Sequence, residues 1–268
     1  MNDKPTQVQS CGRRRVLHAV CALALTVGLP GLVHADLVGI LPHIKPSIVA
    51  VGTYQRTRRP AFQFRGTGFV IGDGFLIATN AHVLPDAVAS ENRETLVIVV
   101  PGEGEQGTVR AVRKLADERS RDLALLRLES GAALPALTLA ARERVHEGQE
   151  IAFTGFPIGS VLGMTPVTHR GIVSAITPIG IPQANSRDLN PALIRSLSKD
   201  VFRVYQLDAT AYPGNSGSPV FDPQTGEVIG VINMVFVKST KESVLSDPSG
   251  ISYAIPVEYL HKVLGQLR

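Results

Sequence analysis

Gly214-Asn215-Ser216-Gly217-Ser218-Pro219, running into the apolar pair Val220-Phe221, is the stretch on which the reading of this chain turns. It sets one serine inside a tight, glycine-flanked turn that leads into a strand. A serine hydroxyl becomes a useful nucleophile when it is exposed, held still and flanked by backbone N–H groups that can bind an oxyanion. Glycines on both sides let the backbone turn sharply and approach a substrate closely. The plain alternative is a hairpin turn rich in Gly, Asn and Ser. Two upstream segments decide between them.

The first is Ile77–Val83, which places His82 just after a short apolar strand. Ahead of it, Gly66–Phe75 reads as two apolar strands joined by a Gly-Asp-Gly turn. The second is Ser120–Leu126, where Asp122 opens an apolar strand. A carboxylate there is costly to bury unless something pairs with it, and a histidine N–H is a suitable partner. The order His82, Asp122, Ser216 is that of the chymotrypsin-like triad and differs from the subtilisin and α/β-hydrolase orders. In such a triad His82 takes the Ser216 proton and returns it to the leaving amine, while Asp122 fixes the imidazole tautomer. The N–H groups of Gly214 and Ser216 form the oxyanion hole, and no metal or organic cofactor is required.

On these segments the chain resembles the bacterial trypsin-like serine proteases, most closely the HtrA/Deg protease domain. Pro46–Val51, Gly171–Ile176, Asp208-Ala209 and Gly250–Val257 extend the likeness over nearly all of the chain after its leader. Ser218 departs from it, since HtrA proteins usually carry glycine there; Gly-Asn-Ser-Gly-Ser-Pro-Val-Phe reads more like the bacterial glutamyl endopeptidases. The resemblance implies an all-β fold, a chymotrypsin-like double antiparallel β-barrel. Its inter-barrel cleft would take His82 and Asp122 from the first barrel and Ser216 from the second. A PDZ module usually follows the terminal helix in HtrA proteins. Here the sequence stops at Arg268 after Val257–Leu267, so the expectation is either an enzyme unregulated by such a module or one gated by its own polar loops, Pro182–Asp200 and Lys238–Gly250, the plain alternative being that these are ordinary surface loops.

The substrate pocket follows from the same likeness. Trypsin-like preference for Lys or Arg needs an acid six residues before the nucleophile, where this chain has Thr210. Glutamyl endopeptidases use a histidine on the next strand; the matching residue is Ile232, followed by Asn233. An uncharged pocket rejects a charged side chain, whose desolvation would go unpaired. Cleavage after Ala, Val or Leu is expected.

Other patterns carry less. Gly102–Gly107 matches G-x-G-x-x-G, but Glu103 and Glu105 would repel a pyrophosphate and no helix opens there, so it reads as a hairpin loop. Ser218 breaks the G-x-S-x-G elbow. There is no HExxH, no paired Cys/His spacing and no phosphate-binding P-loop. His43, His146, His169 and His261 lack an Asp/Ser framework and read as structural, His169 being the one that could line a cleft. Asp117 reads as a solvated turn residue and Asp208 as a shaper of the serine loop.

Residues 1–35 read as an export signal: Arg13-Arg14-Arg15, the apolar run Val16–Leu29, then Val33-His34-Ala35 as a cleavage site. The alternative is a retained membrane anchor, against which the run is short and ends at Pro30-Gly31. The Gly12–Leu17 stretch only loosely resembles a twin-arginine signal, and Val20 before Cys21 disfavours a lipoprotein. Cleavage near Ala35 gives a periplasmic or secreted protein without Cys11 and Cys21. It also removes four basic residues and one acidic one, so the formal charge falls from +4 to about +1. No nucleic-acid partner and no stable membrane partner follow. Homo-oligomerisation is left open.

Short apolar strands recur at Ile48–Tyr54, Gly68–Ile71, Thr95–Val100, Leu123–Leu128, Ile151–Gly155, Val201–Leu207 and Val228–Asn233. Helical patterns lie only at Asp36–Lys45 and Val257–Leu267. The expected division is a leader over 1–35, a first barrel over 36–140, and a second barrel with the terminal helix over 141–268. The boundary falls near Leu134–Glu147. Function resolves to an exported serine endopeptidase acting on proteins or peptides, with a role in envelope protein quality control. The alternative is a catalytically silent, protease-fold binding or chaperone protein. Retention of all three triad residues and both flanking glycines favours the enzyme.

Overall fold

The computed structural model describes residues 37–86, 94–102, 107–141, 145–159, 164–178, 202–233 and 251–267. The stretch 1–35 expected to be a leader, both cysteines and the two polar loops weighed as gates lie outside these residues. Among the described residues twelve strands form two closed antiparallel barrels. The first holds β1 (Ile48–Tyr54), β2 (Phe62–Ile71), β3 (Leu76–Thr79), β4 (Thr95–Val100), β5 (Thr108–Glu118) and β6 (Leu123–Leu128), ordered β1-β2-β3-β6-β5-β4. The second holds β7 (Glu150–Gly155), β8 (Val167–Pro178), β9 (Arg203–Asp208), β10 (Pro219–Phe221), β11 (Val228–Asn233) and β12 (Ile251–Pro256), ordered β10-β11-β12-β9-β8-β7. Closure pairs every edge, which an open sheet would leave exposed. Short helices α1 (Leu37–Ile44) and α2 (Val257–Gly265) flank the barrels. Among the described residues no helix is long and apolar enough to cross a membrane.

Continuous apolar runs became strands buried on both faces. Every residue of β11 is buried, as are six of the seven in β1. The expected bounds of β1, β4, β6 and β11 agree with the structure to the residue. The others differ: β7 starts at Glu150 where Ile151 was expected, and β9 runs Arg203–Asp208 where Val201–Leu207 was expected. β2 starts at Phe62 and not at Gly68, because Phe62–Arg65 alternates half-buried and exposed positions. β5 and β8 were not anticipated as full strands, since polar and charged residues interrupt their apolar pattern. Asp117 therefore lies in β5, where Lys114 (2.8 Å) and Arg119 (2.9 Å) pair with it. Desolvation pushes its carboxyl up, and the hydrogen bonds and charges of those two cations outweigh it, leaving a net shift below the usual range.

One apolar cluster lies within each barrel, and a third joins them. Ile48, Phe69 and Leu125 of the first barrel share it with Phe156, Phe221 and Val231 of the second and with Leu260 and Val263 of α2. This shared core brings the ends of β3, β6 and β11 together with the turn before β10.

Candidate active site

β3 ends at Thr79, and Ala81–Val83 forms a 3-10 turn closed by Val83 N–H on Asn80 O (3.3 Å) and Leu84 N–H on Ala81 O (3.1 Å). β3 pairs with β6 in the register Thr79 to Ala124, so that turn sits beside the residue immediately before β6. That residue is Asp122, held in the left-handed region at φ 53°, which Asp tolerates better than most residues. Asn80 Nδ2 secures its backbone by donating to Asp122 O (3.0 Å).

The Asp122 carboxylate accepts three hydrogen bonds. His82 N–H donates to Oδ1 (2.8 Å), the His82 Nδ1 side lies 2.6 Å from Oδ2, and Asn233 Nδ2 donates to Oδ2 (2.7 Å). An acceptor-only carboxylate assigns the proton to Nδ1 and leaves Nε2 with its lone pair. That lone pair is able to accept a proton.

In the serine turn the carbonyls are tied down one by one. Pro213 O accepts from Ile158 N–H (2.7 Å), Gly214 O from Thr67 Oγ1 (2.7 Å) and Asn215 O from Ser218 N–H (2.9 Å). Asn215 N–H is used by Tyr212 O (3.0 Å) and Gly217 N–H by Ile232 O (3.0 Å). Among the described residues the N–H groups of Gly214 and Ser216 donate to no acceptor. In a trans peptide N–H and C=O point opposite ways. With Pro213 O turned to Ile158 and Asn215 O to Ser218, the two free N–H groups face away from those partners. Gly214 and Gly217, at φ 102° and 87°, supply the positive φ that this tight path needs.

Gly66 lies where the histidine turn and the serine turn meet. A Cβ there would stand 2.6 Å from Val83 Cγ2 and 3.0 Å from Ser216 O. Ser216 is 6% exposed. No hydrogen bond joins its hydroxyl to the His82 ring among the described residues, and such bonds are commonly long without substrate.

Thr210 is half-buried. Buried Ser252 brackets it, donating to Ala209 O (2.7 Å) and accepting from Ala211 N–H (3.0 Å). Ile232 and Asn233 are fully buried. Ile232 meets the serine turn through its backbone, its N–H donating to Ser218 O (2.9 Å), whereas Asn233 meets Asp122. His169 stacks on Phe153 (4.8 Å between centroids), and burial lowers its pKa. The sequence reading did not foresee Thr67, Asn80, Ile158 or the Asn233 bond to Asp122. Its one available signal was a threonine set between Gly66 and Gly68.

A model of the trypsin-like peptidase domain matches residues 66–231. Among relatives, a probable periplasmic serine endoprotease, DegP-like, of Halomonas elongata is 33% identical over 204 residues, 76% of this chain and 35% of that protein. Serine protease HTRA1 of Xenopus laevis is 27% identical over 237 residues, 88% of this chain and 40% of that protein. The chain thus spans little more than a third of the length of these relatives. The crystal structure of the serine endoprotease from Yersinia pestis superposes with a TM-score of 0.60 at 23% identity, covering 87% of this chain and 66% of that one. That likeness is one of fold and agrees with the two six-stranded barrels. The matched span opens at Gly66 beside the histidine turn and closes on β11 behind the serine turn, taking in well over half the residues; this chain belongs to the trypsin-like peptidase family.

Proposed function

We propose that this chain is an exported serine endopeptidase. Ser216 is the nucleophile, His82 the general base and acid, and Asp122 the group that orients His82 and stabilises its cation. The N–H groups of Gly214 and Ser216 bind the oxyanion, each donor typically being worth about 2.7–4 kcal/mol. Residues 1–35 act as the leader, 36–140 form the first barrel and 141–268 the second with its helix. The proposal extends to protein or peptide substrates in the cell envelope, with quality control as the role, in line with the periplasmic serine endoproteases among the relatives.

The observation that carries the reading is the Asp122 carboxylate, which takes both His82 N–H groups and so aims the ring's free nitrogen away from itself. Thr210 and Ile232 place no charge in the pocket, which supports cleavage after Ala, Val or Leu. Labelling with a fluorophosphonate and digestion of casein, with the cleavage sites mapped by mass spectrometry, test the whole. The parent is expected to label at Ser216 and to cut after small or medium apolar residues, and Ser216→Ala to do neither. Full cleavage by Ser216→Ala would sink the nucleophile assignment, and cuts mainly after Arg, Lys or Glu would sink the pocket assignment.

A further inference from the structure

Thr67 lies in β2 of the first barrel, is fully buried, and reaches across to the second barrel three times. Its N–H donates to Ser216 O (2.8 Å), its hydroxyl donates to Gly214 O (2.7 Å), and the same hydroxyl accepts from Phe156 N–H (3.1 Å). On its own side, Thr67 O accepts from Thr79 Oγ1 (2.7 Å), three residues before His82. Thr67 thus links the strand that carries the histidine to the turn that carries the serine. We infer that the Thr67 hydroxyl is the positioning group of the oxyanion-binding turn, fixing which way the peptides around Gly214 face; this rests on the peptidase reading above.

Gly214, at φ 102° and without a Cβ, leaves the peptides on either side free to rotate at little steric cost. What stops them are their hydrogen-bond partners: Tyr212 O on the Asn215 N–H (3.0 Å), which lies in the turn itself, and the two groups that hold the carbonyls from outside it. One of these two, Ile158 N–H, belongs to a residue at φ 48° with a side chain 42% exposed, a conformation that β-branched residues rarely take. The other is the Thr67 hydroxyl, on a buried strand of a closed barrel. The rigid anchor is the threonine.

Without that hydroxyl, Gly214 O and Phe156 N–H both lose a partner inside the protein, and each is driven to find another. Rotation of the 214–215 peptide, with the compensating turn of its neighbour, carries a carbonyl oxygen toward the space where the substrate oxyanion develops. A donor is then replaced by an acceptor at the point of developing charge. The loss falls on the transition state, because the ground-state carbonyl makes little use of the hole.

Thr67→Val keeps the shape and removes the hydroxyl, Thr67→Ser keeps the hydroxyl, and Thr67→Cys keeps a weaker donor. For Thr67→Val, kcat on a peptide ester and the rate of fluorophosphonate labelling are each expected to fall about 10–100-fold, with KM within roughly threefold, the split that loss of transition-state contacts gives. Thr67→Ser should stay within about threefold of the parent on both, since it restores the hydrogen bonds. Unchanged kcat in a folded Thr67→Val protein, or a Thr67→Ser protein that falls as far, would overturn the inference. Should Thr67→Val not fold, as judged by circular dichroism, the comparison of Ser with Cys decides: a slower Cys variant supports the inference, and equal rates overturn it. A parent that neither labels nor cleaves would overturn the peptidase reading and this inference with it. A labelled parent beside an unaffected Thr67→Val overturns only the role of Thr67.

Discussion

Asp122 accepts from the backbone of His82, from its ring and from Asn233, so both oxygens are committed as acceptors. Asparagine at 122 has one acceptor oxygen and must turn an NH₂ group toward at least one of these donors. If that group meets Nδ1, the ring proton moves to Nε2 and the base is lost. Asp122→Asn is expected to lower kcat by about 10⁴ at a nearly unchanged melting temperature, as substitution of the triad carboxylate does elsewhere. A kcat within tenfold of the parent would remove Asp122 from the machinery. His169 gives a second residue-scale expectation, now for stability. Burial depresses its pKa from 6.5, and among the described residues its buried Nε2 has no hydrogen-bond partner. The unfolded chain takes up a proton near 6.5 while the fold still resists it, so stability rises with pH through that window. The contribution is complete above 6.5 and is lost as pH falls through the depressed value. Melting temperatures of the parent and His169→Gln, compared across this range, should converge upward in the parent and stay flatter in the variant; parallel curves would count against it.

At the scale of elements, the site is a meeting of turns held at fixed spacing by β2. Gly66 spaces the histidine turn from the serine turn, and a methyl there must displace Val83 or the Ser216 carbonyl. Gly66→Ala should cost about 1–3 kcal/mol, the usual range for overpacking, and should lower kcat as well, because the two turns part. A variant with parental kcat would show that the gap tolerates a methyl. Gly217 is stricter still, since its Cβ would run into Thr67 O and Thr79 Oγ1 at a positive φ. The same elements explain what could be read beforehand. Strands β1, β4, β6 and β11 were legible because each is a short apolar run between turn residues. β5, with the sequence TVRAVRKLADE, exposes charges that hide its strand character, and its pairing with β4 and β6 supplies what propensity does not. His82, Asp122 and Ser216 were legible as candidates from their local turns. The Thr67–Gly214 and Asn233–Asp122 bonds join residues 147 and 111 positions apart, and no local pattern encodes such a meeting.

For the whole molecule, the decisive fact is that the barrels share a core. Phe156 and Phe221 of the second barrel pack in one cluster with Ile48, Phe69 and Leu125 of the first, and α2 adds Leu260 and Val263. Separating the barrels would expose that apolar surface and break the three bonds that Thr67 makes across the interface. Neither barrel keeps its full core alone, and residues 35–268 form one compact unit. Unfolding is therefore expected as a single cooperative step. The chain is built to test this optically, for it has no tryptophan and five tyrosines, of which Tyr54 alone lies in the first barrel while Tyr205, Tyr212, Tyr253 and Tyr259 lie in the second barrel and α2. Tyrosine fluorescence thus follows the second half, and far-UV circular dichroism follows the strands of both. In urea the two signals should give one midpoint and one slope. Midpoints that separate would mean that the shared cluster contributes less than each barrel's own core, and that one barrel can unfold while the other stays folded.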